Sequence, residues 1–142
     1  MREILFRAKR IDNGEWVEGN LITNERNEHK KYIGYIFDER NGVIEDFDIV
    51  EVIPNTICQY TGLKDKNEEK VFIGDIIRCT KGCPHEVIWM KEYAGTFIGG
   101  MPAVYLSGLD KGYAWTGEEE IVGNIFDSPE RLKGGGSNEK TN

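Results

Sequence analysis

Histidine and cysteine are scarce in this chain, with two and three among 142 residues. His29 and His85 leave little material for proton-transfer chemistry. An odd number of cysteines cannot pair completely within one chain, and "MREILFRAKR" alternates charge with apolar residues, unlike a secretory signal. A reducing cytoplasm is the expected setting. Long apolar runs are missing too: residues 94–109 are interrupted by Gly95, Gly99, Gly100 and Pro102, well short of the roughly 20 apolar residues a spanning helix needs. No membrane segment is expected. Positive charge is in deficit, and a net charge of −7 argues against a simple phosphate-binding surface. What remains is a chain 39% hydrophobic and 30% charged, the composition of a globular protein with a modest core and a broad polar surface.

Alternation dominates that remainder. "ILFRAKRI" and "EWVEGNLI" flank "DNG", and "KYIGYIFDE" and "VIEDFDIVEVI" flank "RNG", so two hairpins are predicted, because Asn and Gly accept the positive φ of tight turns. "TICQYTG" reads as strand, "LKDKNEE" as a solvated loop, and "KVFIGDIIRC" as strand with a bend at Gly74 and Asp75. Short β-rich runs follow, "HEVIWMKE", "GTFIGG", "PAVYL" and "EEEIVGNIF", spaced as in a barrel or sandwich. Helix is confined to "DSPERLK", with Ser128 as cap and Pro129 in the first turn. The fold class expected is mainly β: antiparallel hairpins over residues 1–53, a small SH3-like β-barrel over 54–132, and a disordered tail over 133–142 that has no apolar anchor.

Three segments taken together, "FRAKRIDNGEWVEGNL", "CQYTGLKDKNEEKVFIGDIIR" and "EIVGNIFDSPERL", resemble the YopX family of phage and prophage proteins, in that family's order. The resemblance spans most of residues 1–132 and implies a small phage-encoded protein of the host cytoplasm, homo-oligomeric, with no established enzymatic activity. It marks Gln59, Tyr60, Thr61, Gly62, Leu63, Asp65, Gly74, Asp75, Gly123 and Asn124 as motif positions of structural rather than catalytic character. "CTKGCPHEV" maps to no shared family site.

Candidate chemistry is sparse. Cys79, Cys83 and His85 lie close in sequence, and Cys58 could complete a Cys3His set suited to tetrahedral zinc. Buried free cysteine and a Gly-Pro turn explain the same residues without an ion, so no cofactor is expected. No complete acid, base or nucleophile set can be assembled from Asp65, Glu68, Glu69, Asp75 and the two histidines, and no catalytic residue is assigned. Aromatic residues are plentiful in the second half. Trp89, Tyr93 and Trp115 could stack on a base, with Arg78, Lys81 and Lys111 supplying phosphate charge.

The leading expectation is a non-enzymatic phage accessory protein that self-assembles and binds a host or phage macromolecule. An anti-defence sponge holding a small signalling nucleotide between subunits is the alternative. A nucleic-acid-binding module, drawing on Arg2, Arg7, Lys9 and Arg10, comes third, and a hydrolase or metal enzyme is a further class.

Overall fold

Turn chemistry and alternation set the strands. The computed structural model describes residues 3–90, 103–108 and 115–133, with backbone alone at 90 and 103–105. The chain divides into two compact units, Met1–Tyr60 and Thr61–Asn142.

In the first unit, β1 (Phe6–Lys9), β2 (Trp16–Thr23), β3 (Lys31–Arg40), β4 (Val43–Val52) and the start of β5 (Cys58–Lys64) form an antiparallel sheet in the order β4-β3-β2-β1-β5. The β1–β2 turn is held by the Gly14 N–H donating to the Arg10 carbonyl at 2.9 Å. Asn41 and Gly42 make the two-residue turn between β3 and β4 with φ of 54° and 83°, the left-handed pair that suits the twist of the flanking strands. Ala8, Ile33, Val50 and Val52 form the core, with Phe6, Val17, Leu21 and Ile57 packed around them. Gly19 permits a close approach of β2 and β3: a Cβ there would lie 2.4 Å from the Gly34 carbonyl oxygen.

The second unit takes the end of β5, which neighbours β6 (Lys70–Phe72). It continues with β7 (Asp75–Arg78), β8 (Pro84–Met90), β9 (Ala103–Leu106), β10 (Glu120–Asn124) and the single-turn helix α1 (Glu130–Lys133). Its four-stranded sheet runs β10-β7-β8-β9, and every pairing is antiparallel. Val71, Ile77, Cys79, Val87 and Leu106 form the core.

The protein is mainly β with little helix, as expected, but among the described residues the sheets do not close into the expected barrel. Among the described residues β10 and β9 lie at opposite edges of an open sheet. Closing a barrel requires the outer strands to tilt until they pair, and among the described residues β10 pairs with β7 alone, through a register shift between Ile121 and Gly123. The expected tail falls largely in residues 134–142, outside the described residues.

Candidate functional site

The motif positions resolve into a set of backbone braces. The Thr61 hydroxyl donates to the Val71 carbonyl at 2.7 Å and accepts the Leu63 N–H at 3.1 Å, tying β5 to β6. Asp65, taken from the sequence as part of a solvated loop, is 2% exposed. Its Oδ1 accepts the N–H groups of Asn67 and Glu69, both at 2.9 Å, and its Oδ2 accepts that of Ile121 at 3.0 Å. Burial pushes the Asp65 carboxyl up, but the N–H groups of Ile121, Glu69 and Asn67 together outweigh it and hold the carboxyl below the usual carboxylate range.

Gly74 turns with φ of 96°, its N–H donating to the Val87 carbonyl and its own carbonyl accepting from Ile125. Asp75 accepts the Phe72 N–H at 2.8 Å. Gly123 lies under Ser128, whose Cβ would be 3.1 Å from an added Cβ, and the Asn124 side chain accepts the N–H groups of Phe126 and Asp127. Glu119, not singled out in the sequence, is a further buried carboxylate, accepting from the N–H groups of Thr116 and Gly117 and the Thr116 hydroxyl. These backbone donors tie the carboxylates into the loops they brace. Gln59, Tyr60 and Gly62 sit in β5, where Gln59 pairs with Phe6 and the Tyr60 N–H donates to the Leu5 carbonyl.

The stacking residues do not converge. Arg78 and Lys81 are exposed at the β7–β8 turn, while Trp89 is 53% exposed near the far end of β8, roughly 17 Å along the strand from Pro84 at ~3.3 Å per residue. Trp115 packs against the core, and its indole N–H donates to the Lys64 carbonyl at 3.0 Å. Tyr93 and Lys111 lie outside the described residues. Of the basic residues, Arg7 and Lys9 sit over the Trp16 ring at 4.8 and 5.5 Å, and Arg10 makes a two-point hydrogen bond to Asp12. Arg2 is not described.

The cysteine cluster is partly assembled. Pairing of Arg78 with Pro84 and Ile77 with His85, together with the Cys79 N–H donating to the Cys83 carbonyl, puts Ile77, Cys79, Cys83 and His85 on one face of the hairpin. The ligand atoms of Cys79, Cys83 and His85 lie within 4.8 Å of one another. Cys58 is not among them: it is buried in the first unit, where its thiol donates to the Thr56 carbonyl.

One surface was missed in the sequence. Ile36, Ile44, Phe47 and Ile49 on β3 and β4 line a groove of about 250 Å³ with Asn20, Ile22, Gly34, Tyr35 and Asp48, and all four are exposed, Phe47 at 58%. The groove contains one charged residue, Asp48, and its carboxylate accepts a long hydrogen bond from the Tyr35 hydroxyl. β4 is also the edge strand of its sheet. The signal was present in "YIGYIF" and "VIEDFDI", where apolar residues fall on both faces of strands long enough to outrun a small core.

Among the described residues no helix is long and apolar enough to cross a membrane. A family model described as YopX protein matches residues 5–133. The chain is similar in fold to the crystal structure of protein EF1440 from Enterococcus faecalis, with a TM-score of 0.57 and 22% identity over 93% of this chain and 99% of that one. No curated protein matches.

Proposed function

Because the chain belongs to the YopX family, we propose that it is a phage-encoded, non-enzymatic accessory protein that works as a homo-oligomer in the host cytoplasm and binds a phage or host macromolecule. The observation that carries this reading is the apolar face of β3 and β4. Four large hydrophobic side chains exposed together on an edge hairpin are costly in water, which supports an interface there. The occupant that fits best is a second copy. Two chains of net charge −7 repel unless they meet where charge is absent, and this groove is nearly free of it in a chain that is 30% charged. A two-fold arrangement would set the patch of Ile36, Phe47 and Ile49 against the same patch of the second copy.

The acids left exposed at the hairpin tip, Asp38, Glu39, Glu45 and Asp46, together with Phe37, suit a partner with a basic, partly apolar surface. Absence of catalysis is supported by the engagement of Asp65, Asp75 and Glu119 with backbone donors. Native mass spectrometry of the purified chain tests the reading. A dimer or higher oligomer that becomes monomeric in Phe47→Asp is expected, whereas a monomer carrying a stoichiometric nucleotide would replace this reading with nucleotide capture.

A further inference from the structure

We propose that the β7–β8 hairpin is a binding site for one zinc-class divalent ion, held by the thiolates of Cys79 and Cys83 and the Nε2 atom of His85. Three features of the hairpin carry the assignment. The strand register places all three side chains on one face, and the two sulfurs and a ring nitrogen of His85 lie within 4.8 Å of one another. Tetrahedral coordination with bonds of about 2.3 Å to sulfur and 2.0 Å to nitrogen sets ligand atoms roughly 3.5–3.8 Å apart. The cluster must therefore close by about 1 Å, within reach of a side-chain rotation at exposed Cys83.

The second feature is the orientation of His85. Its Nδ1 lies 2.7 Å from the Ser107 carbonyl oxygen, and a carbonyl can only accept, so Nδ1 carries the proton. In the neutral ring that leaves the lone pair on Nε2, the arrangement that outer hydrogen bonds impose on metal-ligating histidines. Ser107 is itself pinned, its N–H donating to the Glu86 carbonyl and its hydroxyl accepting the Glu86 N–H. The imidazole is thus oriented by the residue that follows β9.

The third feature is the turn. The Cys79 N–H bonds to the Cys83 carbonyl, the Gly82 N–H to the Cys79 carbonyl, and Gly82 takes φ of 90°, so both sulfurs are presented by a closed backbone ring. Cys79 is anchored in the core beside Ile77 and Val87, while Cys83 faces solvent, which gives the ion one fixed ligand and a route of entry. Three protein ligands leave the fourth tetrahedral position to water. Binding would release the two thiol protons to solvent and form two metal–sulfur bonds and one metal–nitrogen bond, with no change of oxidation state.

The test uses full-length protein, reduced and stripped with chelator, then titrated with Co(II) and with Zn(II). The expected result is one ion per chain in the native mass spectrum, with intense thiolate-to-cobalt charge-transfer absorption and the visible bands of a tetrahedral site. Cys83→Ser and His85→Asn should each weaken zinc affinity by more than the roughly 10–100-fold that loss of an outer hydrogen-bond partner costs, with far-ultraviolet circular dichroism unchanged. Absence of the charge-transfer band in reduced protein, or zinc affinity unaltered by both variants, would overturn the assignment. So would a Cys79–Cys83 disulfide that persists in reductant.

Discussion

At the scale of single residues, stability rests on groups whose value cannot be judged from residue type. Asp65 is the clearest case, because each carboxylate oxygen receives backbone N–H groups and the residue is buried. In Asp65→Asn an amide must replace one oxygen and leaves an N–H facing an N–H, so a loss of about 1–3 kcal/mol is expected in chemical denaturation. The pH dependence follows from the lowered folded pKa. The contribution of Asp65 is present above the unfolded value of about 3.9 and is lost as pH falls through the lower folded value, so wild type and Asp65→Asn should converge in stability only in strong acid. Two glycines differ in the same way. A Cβ at Gly42 meets nothing, so Gly42→Ala should cost only the ~1–2 kcal/mol of left-handed backbone, whereas Gly19→Ala drives a carbon into the Gly34 carbonyl and should cost more. Thermal melts of the pair decide the order.

Elements were more legible than residues. Both N-terminal hairpins follow from alternation around "DNG" and "RNG", since a strand's faces and a turn's positive φ are local properties. The bend at Gly74 and the short helix after Pro129 were legible for the same reason. Less legible was anything that depends on which strands meet. Sheet closure is decided by long-range pairing, so a series of short strands read as a barrel became an open sheet. The "LKDKNEE" loop looked solvated because sequence displays the charge of Asp65 and hides the Ile121 N–H that β10 brings to it. Spacing grouped Cys79, Cys83 and His85 correctly but also recruited Cys58, which the chain leaves in the first unit. The β5–β6 link offers a test at this scale: Thr61→Val removes the donor to Val71 and the acceptor for Leu63, and a loss of about 1–3 kcal/mol is expected. Hydrogen exchange should show amides of β5 and β6 opening together in that variant.

For the whole molecule, the exposed apolar surface of β3 and β4 is the feature that most demands an explanation, since each unit otherwise buries its own core. The proposed self-association through that face would account for it and would leave the acidic hairpin tip open to a partner. Analytical ultracentrifugation of the full chain across a wide concentration range, alongside Phe47→Asp, is the most direct measurement. The account expects a dimer or larger assembly for the native sequence and a folded monomer for Phe47→Asp. A native chain that sediments as a monomer at every concentration, or a Phe47→Asp variant that assembles as before, would contradict it.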